Sequence, residues 1–136
     1  ARAQQYGLGF DDYLKWQEAN SMVVVQIEHI DAVHNIEKIL AVSGVDAYFV
    51  GPYDLSGSLD IPGQFDHPEF IEAMGRIQQA GRDSGKPGGL HIIEPNKAEL
   101  AKRIEDGHRF IAYSLDFRIL DSECRNALKT VAELVS

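Results

Sequence analysis

The chain is short of cysteine: Cys124 is the single one in 136 residues. No internal disulfide can form and nothing resembles a thiolate metal site, which fits a reducing cytoplasm. Long apolar runs are also missing. No stretch approaches the roughly 18 to 20 residues needed to cross a bilayer, and the amino end shows no charged-apolar-small leader, so no membrane association is expected. Basic charge is sparse, with 13 Lys and Arg against 21 Asp and Glu for a formal net charge of -8. There is no basic run and no interleaving of basic with aromatic residues, which argues against nucleic acid or an anionic membrane as partner and makes a divalent cation a more natural one. Gly51, Gly57 and Gly63 have neither the spacing nor the context of a dinucleotide or phosphate fingerprint. Low-complexity segments and internal linkers are absent. The first residue, Ala1, is not a start methionine, so the expectation is a chain that belongs to a longer protein.

What is present is one domain's worth of residues, 44% of them hydrophobic, enough for an ordinary globular core. Residues 1–136 are read as a single unit. After a glycine-containing loop comes a short helix over about 11–19, with Phe10, Tyr13 and Leu14 as its apolar face and Asp11 as its cap. Four apolar runs then read as strands near 22–28, 45–50, 90–93 and 109–115. Helices are expected between and after them: one from about Asp31 to Val42, one from about Pro68 to Asp83, one from about Pro95 to Asp106, and a closing helix. Apolar stripes support each of these helices. They comprise Val33, Ile36 and Leu40; Phe70, Met74 and Ile77; Ala101 and Ile104; and Leu120, Cys124, Leu128, Val131 and Val135. Cys124 is expected in the core on that basis. Alternation of strand and helix every 25 to 30 residues or so is the rhythm of a parallel α/β sheet. Four such units make either a small doubly wound sheet or half of an eight-stranded barrel.

The stretch 23–58 carries the candidate chemistry. Val-Val-Val-Gln-Ile-Glu ends on Glu28, and Tyr-Phe-Val-Gly-Pro-Tyr-Asp reaches Asp54. Acids at the carboxyl ends of neighbouring parallel strands lie at the edge where such sheets build their sites. Strand alternation puts Gln26 and Glu28 on one face with Val24, away from Val25 and Ile27. Two carboxylates on neighbouring strands would lie within roughly 5 Å, close enough to share an ion.

The residues that follow in order, Val25-Gln26-Ile27-Glu28, Asn35-Ile36, Gly44-Val45-Asp46, Gly51-Pro52-Tyr53-Asp54-Leu55-Ser56-Gly57-Ser58-Leu59, Pro62-Gly63-Gln64, His67-Pro68, Gly85-Lys86-Pro87 and 110–116, resemble the HpcH/HpaI aldolases. The resemblance covers nearly the whole chain. It implies a (β/α)8 barrel of which this chain is the carboxyl-terminal half, and metal-dependent reversible cleavage of a 4-hydroxy-2-oxo acid to pyruvate and an aldehyde. It further implies Glu28 and Asp54 as ligands of a divalent ion (Mg2+ or Mn2+, possibly Co2+), with the amides of Tyr53 and Asp54 on the pyruvate carboxylate. Gln26 would face the same pocket, and so would His91, for which a hydrogen-bonded core histidine is the alternative reading. The family's catalytic histidine and carbonyl-polarising arginine lie on earlier strands and have no counterpart here, so no proton-transfer residue is assigned. Homo-oligomers, or completion by the other half barrel, are implied partners, with the last helix as an intersubunit element. Asp60 departs from the pattern, standing where glycine is usual, and this bears on the backbone of its loop.

Other candidates read as structural. Glu94 before Pro95 is a helix-start acid, and His29, following Glu28, points to the opposite face. His34, His67 and His108 are surface or capping residues, and Ser56 and Ser58 are caps. Two alternatives to the aldolase are a lyase acting on a CoA thioester with the same paired acids, and a non-catalytic half barrel serving as an assembly module.

Overall fold

The computed structural model describes residues 2–135. A 3-10 segment, Arg2–Gly7, leads into α1 (Phe10–Asn20). That helix starts one residue before the expected cap: Gly9 precedes it without a side-chain cap bond, and Asp11 lies inside the first turn, where its charge favours the dipole instead. None of the residues of α1 is buried.

The strands are β1 (Val24–Ile27), β2 (Ala47–Val50), β3 (Gly88–Ile92) and β4 (Phe110–Tyr113), all parallel, in the order β1-β2-β3-β4. That order settles what periodicity left open. A doubly wound sheet reverses its strand order at a switch point, whereas here every unit adds to the same edge, as in a barrel. One face of the sheet, with Ile27, Tyr48, Val50, Leu90 and Ile92, is buried under the helices. The other carries Gln26, Phe49, Gly89 and Phe110 in one paired row. Glu28, Gly51, His91 and Ala112 follow two residues further along each chain.

The expected helix after β1 is two short ones, α2 (Ile30–His34) and α3 (Ile36–Leu40). Asn35 breaks them with φ -109° and ψ 14°, its side-chain amide donating to the Asp31 carbonyl at 2.9 Å. The cap is His29, whose Nδ1 accepts from the Asp31 amide at 3.1 Å, because a side chain one step before the helix can reach the orphan N–H that Asp31 itself cannot. The stripe Val33, Ile36 and Leu40 is nonetheless buried. After β2, α4 (Pro52–Ser58) begins on a proline. The long α5 (Pro68–Ser84) is capped by His67 and stopped by Gly85 at φ 67°. Phe70, Ala73, Ile77 and Ala80 bury its inner face, Ile77 alone contributing about 1.5–3 kcal/mol of hydrophobic burial.

The start of β3 lies earlier than its apolar run. Gly88 and Gly89, which precede the apolar run and have the composition of a turn, are strand residues, and nothing larger fits there. A side chain at Gly89 would strike the Phe110 carbonyl and come within 2.9 Å of the Phe49 ring, and one at Gly88 or Gly81 would collide with the Tyr48 phenol. The rings of Phe49 and Phe110 meet edge to face at 5.4 Å over Gly89.

The last two helices, α6 (Lys97–Glu105) and α7 (Asp116–Val135), bury no residue. Ala101 and Ile104 face out, and Leu100 is the residue of α6 that packs on the core. Cys124 is exposed rather than in the core, as are Leu120, Leu128, Val131 and Val135. The stripe on α7 is real, but α7 follows the edge strand β4 and among the described residues no neighbouring element covers it. Among the described residues no helix is long and apolar enough to cross a membrane.

Candidate metal centre

The two acids converge from different kinds of element. Glu28 is the residue immediately after β1, while Asp54 lies in the first turn of α4 and not on the end of β2. Gly51 brings them together. Its amide donates to the Ile27 carbonyl at 3.2 Å, continuing the ladder one residue past β2 and placing it beside Glu28. Pro52 then starts α4, so the chain turns back and Asp54 folds over the same glycine. A methyl group placed on Gly51 would lie 3.2 Å from Asp54 Oδ2 and 3.3 Å from Glu28 Oε2. The two oxygens therefore flank one point in space and are no farther apart than the sum of those distances. Both side chains are exposed in this chain, and among the described residues neither makes a hydrogen bond or an ion pair.

Among the described residues no group of three or more His, Cys, Asp or Glu side chains gathers as a metal cluster. A pair of carboxylates is still a complete protein contribution for magnesium, which retains several waters and binds through one or two carboxylates plus substrate oxygens. The donor set is hard oxygen only, and the glycine leaves the space between the donors open. These residues fit a small divalent cation.

The surrounding residues divide into site and scaffold. Gln26 lies on β1, on the face that Glu28 continues just past the strand. His91 lies on that face of β3, its Nε2 within 3.2 Å of the Ser114 carbonyl. The first intrahelical bond of α4 runs from the Leu55 amide to the Gly51 carbonyl at 2.9 Å, and no side chain caps the turn, so the amides of Tyr53 and Asp54 precede it as free donors. The Tyr53 ring turns away to meet Phe65 edge-on at 4.9 Å, and Phe65 in turn touches Phe70 at 5.2 Å.

Ser56 and Ser58 brace α4. Ser56 Oγ donates to the Tyr53 carbonyl at 2.8 Å and accepts from the Gly63 amide at 2.9 Å. Ser58 Oγ donates to the Leu55 carbonyl at 2.7 Å and accepts from the Ile30 amide at 3.0 Å, satisfying an orphan donor of α2. In the loop that follows, Asp60 takes φ 59°, the left-handed backbone for which glycine is the unstrained choice. Glu94 is not a helix-start acid: Asn96 caps α6, accepting from Ala98 and Glu99, while Glu94 receives Arg118 of α7 at 2.7 Å on both oxygens. That pair, with Asp121, holds the Arg118 guanidinium above its usual pKa, the hydrogen bond to Glu94 being the larger cause.

Two residues at this rim carry more than composition suggested. Gly51 is the pedestal on which the pair depends, and its signal was a glycine between an apolar strand and a proline. Ser114, at φ 60° and buried, donates its hydroxyl to the Ile93 carbonyl at 2.9 Å and presents its own carbonyl to His91. Nothing in its local sequence distinguishes it.

A consecutive parallel sheet helical on one face, with acids at its carboxyl rim, defines a chain of the TIM-barrel class. Comparison with known proteins makes this specific. The sequence model of the HpcH/HpaI aldolase/citrate lyase family matches residues 2–121, and the chain belongs to that family. It is 37% identical over 82% of its length to a 5-keto-4-deoxy-D-glucarate aldolase of Klebsiella pneumoniae, of which it covers 43%. It is 34% identical over 88% of its length to a hydroxypyruvate/pyruvate aldolase of Roseobacter denitrificans, of which it covers 45%. A crystal structure of an HpcH/HpaI aldolase/citrate lyase family protein from Burkholderia cenocepacia J2315 superposes with a TM-score of 0.83 and 37% identity, over 91% of this chain and 48% of that one. The chain thus spans about half the length of the relatives it matches.

Proposed function

We propose that this chain supplies the metal and pyruvate half of a class II aldolase site, for reversible cleavage of a 4-hydroxy-2-oxo acid to pyruvate and an aldehyde. The observation that carries the reading is the convergence of Glu28 and Asp54 on the space beside Gly51. A divalent cation held there by the two carboxylates would polarise the keto carbonyl and stabilise the negative charge that develops on its oxygen. Glu28 and Asp54 hold their carboxylates at one point without another partner to release. The amides of Tyr53 and Asp54 receive the substrate carboxylate, as uncapped helix-start donors do. Gln26, on the same face, orients the keto group or a water. His91, fixed through Nε2 by the Ser114 carbonyl, closes the side of the pocket at β3. The aldolase names of the relatives support the reaction class. Groups that move the proton belong, on this reading, to the strands of the other half barrel, and cleavage needs that half.

Calorimetric titration with manganese tests the reading. Glu28→Gln and Asp54→Asn are each expected to weaken binding by about a hundredfold or more, since even partners that only support a ligand typically account for ten- to a hundredfold. Unchanged manganese affinity in both variants would sink the proposal. Pyruvate binding that needs manganese, and that an acyl-CoA ester does not displace, separates an aldolase from a CoA-thioester lyase.

A further inference from the structure

Glu28 and Asp54 belong to two short segments, 27–30 and 51–58, that are fastened to each other at both ends. At one end the Gly51 amide donates to the Ile27 carbonyl at 3.2 Å. At the other the Ile30 amide donates to Ser58 Oγ at 3.0 Å. Among the described residues these two hydrogen bonds are the ones that join the segments. Each acid stands between the fastenings, Glu28 between Ile27 and Ile30, and Asp54 between Gly51 and Ser58.

The hydroxyl of Ser58 is directed by its own helix. Its proton goes to the Leu55 carbonyl, three residues back, at 2.7 Å. Its lone pairs are left to accept the Ile30 amide, a donor at the first position of α2 that no bond within that helix can satisfy. Asp54 and Ser58 are four residues apart, so they share one side of α4. The side that Ser58 presents to Ile30 is therefore the side from which Asp54 meets Glu28. Leu55 is fully buried and keeps α4 on the core. Apolar burial is non-directional, however, and leaves a helix this short free to roll about its buried side chain. The Gly51 bond alone would act as a hinge, and the Ser58 bond removes the remaining freedom.

We propose that Ser58 is the positioning residue of this metal centre: by closing the second fastening it fixes the gap between the two carboxylates, so that the centre takes a small octahedral cation in preference to calcium. The inference rests on the reading of Glu28 and Asp54 as metal ligands and adds to it what sets the choice of ion. Cavity size, ligand number and flexibility decide between hard cations. Magnesium holds its ligands at about 2.0–2.1 Å in near-ideal octahedral geometry, whereas calcium takes about six to eight oxygens at about 2.3–2.6 Å and tolerates irregular shells. Two carboxylates on hinged segments would spread for the larger ion. Fastened at both ends, they cannot.

The test is calorimetric titration with manganese, followed by displacement of the bound manganese by magnesium and by calcium, which gives the ratio of the two affinities. Ser58→Ala is expected to weaken magnesium by about tenfold, the lower end of the loss that follows removal of a supporting partner. Calcium should weaken by less, so the preference for magnesium falls. Ser58→Thr keeps the hydroxyl and should hold the ratio at its wild-type value. Ile30→Pro deletes the same bond from the donor side. The first position of a helix suits proline, and His29 before it, at φ -137° and ψ 144°, already has the extended backbone of a residue that precedes proline. This variant should reproduce the effect of Ser58→Ala, and it decides the matter if that one does not fold. A serine that only stabilised the fold would lower both affinities together and leave their ratio unchanged. A wild-type preference for calcium, an unchanged ratio in whichever of Ser58→Ala and Ile30→Pro folds, or a ratio that falls equally in Ser58→Thr overturns the proposal while the metal reading stands. A wild-type chain that binds no manganese removes both.

Discussion

Ile77 in α5 and Leu128 in α7 sit on apolar stripes of the same helical period, yet the first is fully buried and the second is 69% exposed. The segment from β1 through β3 holds almost the whole core, with α5 lying over β2 and β3 beside α2 and α3. Beyond it, α6 and α7 contribute no buried residue. Periodicity thus marks the side of a helix that is ready to be covered, and the neighbour that covers it is a separate fact. On α5 that neighbour is the sheet in this same chain. On α7 no such neighbour is found among the described residues.

The contrast can be broken by measurement. Ile77→Ala is expected to cost about 2–5 kcal/mol in denaturant unfolding, as large-to-small changes in packed cores do. Gly89→Ala should cost about 2–3 kcal/mol, because β3 and β4 must part to admit a methyl group against the Phe110 carbonyl. Leu128→Ala should stay within about 0.5 kcal/mol, as at other exposed positions; a loss rivalling that of Ile77→Ala would mean that α7 is covered after all. The smallest effect sharpens the border between the two regions. His108, two residues before β4, is buried, and its pKa in the folded chain lies below the ordinary 6.5, burial being the larger cause. The unfolded chain therefore takes up this proton first as pH falls. Stability is fully present above about pH 6.5, declines as pH drops below it, and levels off beneath the folded pKa. His108→Gln should flatten that part of the stability profile if it folds, and wild-type stability that does not fall there would place the residue in water.

Much of this arrangement could be read in advance because it rests on local rules. The four apolar runs, the stripe on α5, its start at Pro68 and the facing of Gln26 with Glu28 all follow from periodicity and proline chemistry. The family likeness was legible in motifs such as Gly51-Pro52-Tyr53-Asp54. The misreadings share a non-local cause. Gly88 and Gly89 look like a turn until Tyr48, Phe49 and Phe110 claim the space around them. Glu94 looks like a helix-start acid until Arg118, 24 residues on, reaches it. His108 follows a glycine and precedes an arginine, so its burial depended on how α6 and β3 meet. Asp54 comes close to Glu28 around Gly51, but from α4 and not from the end of β2, because of the turn at Pro52.

The ring of Tyr48, gripped between Gly81 of α5 and Gly88 of β3, ties three elements to a single assembly event. A phenol cannot be inserted into a slot that is already closed, so β2, the end of α5 and the start of β3 must lock in one step. Their amide protons should accordingly exchange with solvent as one cooperative set, while those of α7 exchange earlier.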